Sequence, residues 1–366
     1  PSEDGPPVSV ANWASAISPG PANESAQTLT FSISNTNTGL FTQQPALSPT
    51  GTLTYNVANN VSGTAIVTVI LSDNGGTANG GVASSAPQTF TITVSNVNDA
   101  PTSSGIANVQ DLEDAANRVV DLFAAFADTE DADNQLTYSV TANTNAALFS
   151  TTTVNGTAGS LTLDYAPDAF GSANLTVRAT DTGGLFVETT FSVAVAAVND
   201  APSFVKGANQ SVAEDSGAQQ VAGWATGISV GPANEVGQTV SFLVSTPSTA
   251  LFSAQPAITS AGVLSYTPAP STSGTATVTV VLQDNGGVTN GGVDQSTAQT
   301  FTITITGVND VPVAVNDAYT VTEGQSLIAA AGGSPPGVLD NDIDPDGQTL
   351  TVTVIQPPQY ASTWSF

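Results

Sequence analysis

The chain has 366 residues, with 30 Asp and Glu against 3 Lys and Arg, a formal net charge of -27, and no His, Cys or Met. Such a chain has no clustered cations for phosphate, which excludes nucleic acid as an electrostatic partner. Without imidazole or thiol it also has no Ser-His relay, thiol nucleophile, disulfide or His/Cys metal site. Only 9% of residues are charged and 40% are hydrophobic, so folded cores are expected rather than acidic disorder, and no run of about 18 apolar residues is present for membrane insertion.

In chain order, Leu29–Ser34, Ala65–Leu71 and Phe90–Val97 alternate or run apolar between Gly, Pro and Asn, the pattern of strands. The same reading applies to Leu136–Val140, Ser160–Tyr165, Leu175–Thr180 and Thr189–Val198. Ala115–Asp128 invites a helix, but strands on both sides argue for a strand and a turn. Val-Asn-Asp-Ala-Pro occurs at Val97–Pro101 and Val198–Pro202, and Val-Asn-Asp-Val-Pro follows at Val308–Pro312. Asp99 and Asp200 are 101 residues apart, and Asp200 and Asp310 are 110 apart; an immunoglobulin-like sandwich needs about 100.

An offset of 211 relates Glu3 to Glu214, Trp13 to Trp224, Phe41 to Phe252, Tyr55 to Tyr266 and Asp99 to Asp310. The expected units are 1-101, lacking its first strand, 102-202 in a short form, 203-312 in a long form, and a partial unit 313-366. The fold class expected is all-β: tandem antiparallel β-sandwiches in an elongated array. Trp13, Trp224, Phe41, Phe149 and Phe252 are expected core anchors.

The acids recur in register. Outside Asp111, Asp121, Asp164, Asp168, Glu188, Asp294 and Asp317, they fall at an early Glu or Glu-Asp, in a mid-domain loop, at a strand-end Asp before Gly, and in the Asn-Asp of each junction. Oxygen ligands at alternating positions of irregular backbone suit Ca2+, which takes six to eight of them, better than octahedral Mg2+. A single Asn-Asp is an ordinary turn former; repetition in register without basic partners favours calcium.

The run Arg178-Ala-Thr-Asp181-Thr-Gly-Gly leading to Val198–Pro202 resembles the last strands and linker of a cadherin repeat, and Ala127–Val140 resembles the cadherin Asp-x-Asp loop. The chain as a whole resembles the bacterial cadherin-like tandem-repeat surface proteins, the extender regions of large adhesins; Asn316–Val354 resembles a sister version of that repeat. The resemblance implies calcium between successive repeats. The first junction would use Glu3, Asn98, Asp99, Asp128, Asp131, Asp133 and Asp181. The second would use Glu113, Asn199, Asp200, Asn234, Glu235 and Asp284, with Asp164 at the family's mid-domain position. The third would use Glu214, Asn309, Asp310 and the loop Asp340, Asp342, Asp344 and Asp346. Asn96, Ala197 and Gly307 stand where cadherin linkers carry an Asp, so fewer than three ions per junction are implied.

The expected function is a calcium-rigidified structural segment of a secreted or cell-surface adhesin, with neighbouring repeats as its partners. A carbohydrate- or protein-binding module built on the loops Asn79–Ser85 and Asn290–Ser296 is one alternative. A subunit of an extracellular filament, joined to another copy by strand exchange, is a second. A glycosidase-type carboxylate pair is the only catalytic chemistry the composition permits, and near-identical repeats argue against a unique active site, so no enzyme is expected.

Overall fold

The computed structural model describes residues 1–356 and Thr363; the end of the 313-366 unit lies outside the described residues. Among them the only helical pieces are three-residue 3-10 turns such as Thr38–Leu40, and no helix is long and apolar enough to cross a membrane. The Ala115–Asp128 stretch forms strand Arg118–Asp121, a turn, and strand Phe126–Ala127. Two compact units are defined by contacts: one of Pro1–Asp111, Ala115–Ala166 and Gly171–Val195, the other of Leu112–Asp114, Pro167–Phe170 and Ala196–Phe366.

The first unit contains two sandwiches. In one, Val8–Val10, Leu53–Val57 and Phe41–Leu47 form a sheet that faces a second sheet of Leu29–Asn35, Gly63–Asp73 and Gln88–Val94. Strand residues alternate sides, so Leu53, Tyr55 and Val57 turn inward with Ala65, Val67 and Val69 to make one core. Phe41 meets Tyr55 edge-on at 5.8 Å. The other sandwich packs the sheet around Gly171–Thr180 and Phe186–Ala196 against Phe149–Asn155, Ser160–Tyr165 and Arg118–Asp121.

The second unit holds a further sandwich. Val240–Ser245, Gly274–Asp284 and Gln299–Thr306 form one sheet, and Gln219–Val221, Leu264–Pro268 and Phe252–Ile258 the other. Its opening segment is shared between sheets. Ser203–Val205 pairs with Thr226–Ser229, and Gln210–Ala213 then joins the edge strand Gln299–Thr306 in parallel. This parallel pair departs from the antiparallel pattern because the opening segment runs alongside the last strand in the same direction. Beyond Val308 the described residues form isolated bridges, Val313 to Ile343 and Ala330 to Pro336, rather than a sheet.

The two tryptophans related by the repeat differ. Trp224 is 3% exposed, whereas Trp13 is 39% exposed and only half fulfils its expected place in the core. Each packs tilted against the equivalent Phe, Trp13 on Phe90 with centroids 4.4 Å apart and Trp224 on Phe301 with centroids 4.3 Å apart. Phe204, Gly207 and Ala208 cover Trp224, and at the repeat offset their counterparts would fall ahead of Pro1.

Candidate metal centres

Each junction is built on the same main-chain bonds. Glu3, Glu113 and Glu214 sit where an opening strand ends, and are only 2%, 3% and 4% exposed. Their Oε1 atoms accept the N–H of Val97, Val198 and Val308, the residue just ahead of each Asn-Asp. The following Asp then donates its own N–H to an acid of the next loop: Asp99 to Glu130 at 3.1 Å, Asp200 to Glu235 at 2.8 Å, and Asp310 to Asp346 at 2.6 Å. Two anionic side chains thus hold each Asn-Asp backbone turn, and at Asp310 the turn's own carboxylate lies within 4.8 Å of both, Glu214 and Asp346.

In the first unit Asn98 Nδ2 donates to Asp181 Oδ2 at 2.9 Å. Asp128 Oδ1 accepts from the N–H groups of Glu130 and Asp131, while Asp131 takes both donors of Thr182. The Asp133 carbonyl accepts from Tyr138 at 2.9 Å, and no hydrogen bond ties its carboxylate to the other acids of this loop. Burial, then the charges of Asp4, Glu3 and Asp128, push the Asp99 carboxyl above its ordinary value. Burial also acts on Asp181, but hydrogen bonds from Asn98 and from the main chain at Leu185, Gly184 and Gly183 outweigh it and hold that carboxyl low.

The second unit holds the most complete cluster. Asn199 donates to Asp284 Oδ1 at 3.1 Å and accepts from Gln238 at 2.7 Å; Asn234 donates to Glu113 Oε2 at 3.2 Å. Gly286 is required here: a Cβ would lie 1.6 Å from Asn199 Oδ1. The long loop of this sandwich returns to the same place, because Val293 exchanges main-chain and side-chain bonds with Asn199. Carboxylate oxygens of Asp114, Asp168 and Asp200 lie within 4.8 Å of one another. Burial first, then neighbouring acids, raises Glu113, Asp200 and Glu235.

Around Asp310, carboxylate oxygens of Glu214 and Asp346 also come within 4.8 Å. Asp344 caps the loop through Asp346 N–H, and Gln348 bonds Asn309 at 2.7 Å. Asp340 and Asp342 instead cap nearby backbone, accepting from Gly332 and Gly337 and from Val315; the structure brings Asp346, not those two, to Asp310. Asp164 lies within a strand pair opposite Thr151, whereas Asp168, four residues on, reaches the cluster.

Asp114, Asp168, Glu130 and the amides Gln238 and Gln348 were not among the expected residues. Repetition carries a signal for some of them: Gln27, Gln135, Gln238 and Gln348 each precede an alternating apolar run in the sequence. Asp168 has no acidic counterpart, since Asn60 and Ser271 occupy its place, each at positive φ and each donating its N–H to Asp4 or Asp215 as Asp168 does to Asp114.

One oxygen of Asp99, Asp128, Asp200, Glu235, Asp284 and Asp310 is buried without a hydrogen-bond partner. Buried charge without a partner is costly, and there are only 3 basic residues in the chain to supply one. All-oxygen donors converging on buried, unpaired carboxylate oxygens fit a hard divalent cation such as Ca2+.

Two family models match parts of the chain: Bacterial Ig domain over residues 309–366 and Lipoprotein associated domain over residues 15–99. No curated protein matches significantly. Among solved structures, the human desmocollin-1 ectodomain is similar at 14% identity over 81% of this chain and 58% of its own, TM-score 0.37. The protocadherin GammaB4 extracellular domain is similar at 18% over 76% and 45%, TM-score 0.42. Human CDH23 EC21-23 is similar at 17% over 75% and 88%, TM-score 0.45. The chain therefore spans 58% and 45% of the first two. The sheets described above define the class: an all-β protein of β-sandwiches.

Proposed function

We propose that the chain is a calcium-rigidified extender segment of a secreted or cell-surface adhesin, with repeat units 1-101, 102-202, 203-312 and 313-366. The observation that carries this reading is the recurrence of one buried, partnerless Asp oxygen at each junction, on Asp99, Asp200 and Asp310. An ion there supplies the positive charge that the chain lacks. Glu3, Glu113 and Glu214 hold one repeat's end, and Glu130, Glu235 and Asp346 come from the next repeat's loop, so the ligands tie two repeats together. Linked domains otherwise move independently by default.

Extracellular modules of this kind bind calcium at roughly 10⁻⁴–10⁻³ M, which suits a location outside the cell; the lipoprotein-associated match over residues 15–99 fits a surface setting. The proposed ligands are Glu3, Asp99, Asp128, Glu130, Asp131 and Asp181 with Asn98; Glu113, Asp114, Asp168, Asp200, Glu235 and Asp284 with Asn199 and Asn234; and Glu214, Asn309, Asp310, Asp344 and Asp346. The test is small-angle scattering and thermal melting in calcium and in EGTA. Calcium should lengthen the particle and raise the melting temperature; unchanged curves would sink the proposal.

A further inference from the structure

The second unit carries a cleft beside its acidic cluster. The cleft has a volume of 280 Å³, and Phe170, Asn234, Glu235, Gln238, Thr289 and Asn290 line it, all from that unit. Pockets for drug-sized ligands begin at about 300 Å³, so this one has room for a single small ring. The loop that brings Thr289 and Asn290 is pinned at Asn199, whose carbonyl accepts from Val293 N–H at 2.8 Å and whose Nδ2 donates to the Val293 carbonyl at 2.7 Å. Its turn is closed by a bond from Gly292 N–H to the Thr289 carbonyl at 3.0 Å.

The lining is rich in acceptors that lack donors. Asn234 Oδ1, Glu235 Oε2 and Gln238 Oε1 are buried without a hydrogen-bond partner, and Glu235 as a whole is only 7% exposed. The amide nitrogens of Gln238 and Asn234 are bonded to Asn199 and Glu113, which turns their oxygens away from those partners. A buried acceptor without a donor is costly, and hydroxyl groups are neutral donors that satisfy it. Phe170 adds an apolar wall that is 49% exposed. It directly precedes Gly171, the first residue of a strand; ahead of the equivalent Gly63 and Gly274 stand Ser62 and Ser273. Among the described residues no Lys or Arg lines the cleft, so anionic ligands find no counter-charge there.

We propose that this cleft binds one neutral pyranose unit of a glycan. Sugar hydroxyls donate to Gln238 Oε1 and Asn234 Oδ1, the apolar face of the ring lies on Phe170, and Asn290 and Thr289 supply polar side chains from the loop. The proposal rests on the calcium reading of the adjacent cluster. A divalent cation there neutralises the acidic lining, and vicinal hydroxyls offer oxygens to an ion that accepts six to eight. The aromatic wall sets this cleft apart from the equivalent places in the other two sandwiches, where Ser62 and Ser273 offer no ring face.

The test titrates the methyl glycosides of mannose, galactose and fucose, with propylamine as a cationic control, into the full chain in calcium and in EGTA, read by ligand-observed NMR. Calcium binding is measured separately by calorimetry. At least one glycoside should bind saturably in calcium with a Kd on the order of 1 mM, the value that ordinary ligand efficiency gives a molecule of about 13 heavy atoms, and binding should vanish in EGTA. Phe170→Ala should weaken it about threefold to tenfold. Asn290→Gly, which keeps the positive φ of 58°, should weaken it as well, and both variants should leave the calcium titration unchanged. Glycoside binding that is absent while calcium still binds, equal in EGTA, or unaltered in both variants overturns the proposal and leaves the calcium reading standing; absence of calcium binding removes both. Propylamine bound more tightly than every glycoside would make the cleft a site for organic cations and reject the sugar.

Discussion

Glu235 Oε1 accepts the main-chain N–H of Asp200 at 2.8 Å while the other oxygen of each carboxylate stays buried and unpaired. One acid orients the turn that carries the other, and each keeps one buried oxygen without a partner. Glu235→Gln preserves the acceptor and deletes the charge. This variant should fold at least as well in EGTA as the parent, because repulsion with Asp200 and Asp284 is relieved, yet bind calcium about tenfold or more weakly. Calorimetric titration checks both, and unchanged affinity would exclude Glu235 as a ligand.

Asp168 distinguishes the second-unit cluster from the others. Asp168→Asn should weaken the tightest calcium-binding step and leave the remaining steps as they were, since Asn60 and Ser271 already stand in the equivalent places elsewhere. A uniform loss across all steps would contradict this assignment.

Calcium removal should be costliest near neutral pH. Burial raises the Glu113, Asp200 and Glu235 carboxyls in the calcium-free chain. A raised folded-state value means the folded chain holds more protons than the unfolded one, so stability falls as pH climbs from the ordinary carboxylate value through the raised one. In EGTA, melting temperature should drop over that window. With calcium at about 100 times its dissociation constant, each site should restore roughly 2.7 kcal/mol. A melting temperature independent of pH in EGTA would argue that these groups are not buried together.

Gly286→Ala forces a Cβ to 1.6 Å from Asn199 Oδ1. The expected cost is roughly 1–3 kcal/mol, with weakened calcium binding because Asn199 orients Asp284. Differential scanning calorimetry reads the first and titration the second; a neutral substitution would show that Asn199 can leave.

Trp224→Ala should destabilise its sandwich by about 3–5 kcal/mol, as expected for a buried aromatic residue, whereas Trp13→Ala, at 39% exposure, should cost much less. Chemical denaturation of the two variants decides it, and equal losses would refute the difference in burial.

Much of the fold was legible because period-two burial is written directly in strands such as Leu53–Val57 and Ser160–Tyr165. The acidic positions Glu3, Glu113 and Glu214 were legible through repetition, which marks a common role even when no single residue does. Asp168 was not, because its part depends on a positive-φ turn that carries it to Asp114, and strand spacing says nothing of that. Asp340 and Asp342 looked equivalent to Asp346 along the chain, but their oxygens are taken by Gly332, Gly337 and Val315. Trp13 and Trp224 are the same residue in the repeat, and what separates them is what lies over each ring.

The bond from Val198 to Glu113 closes within the proposed unit 102-202, and the bond from Asp200 to Glu235 reaches into the proposed unit 203-312. The same pair of bonds recurs at Glu3 with Val97 and Asp99 with Glu130, and at Glu214 with Val308 and Asp310 with Asp346. On the proposed unit bounds, duplicating one unit adds one such pair of bonds and leaves no carboxylate of the pair unmatched.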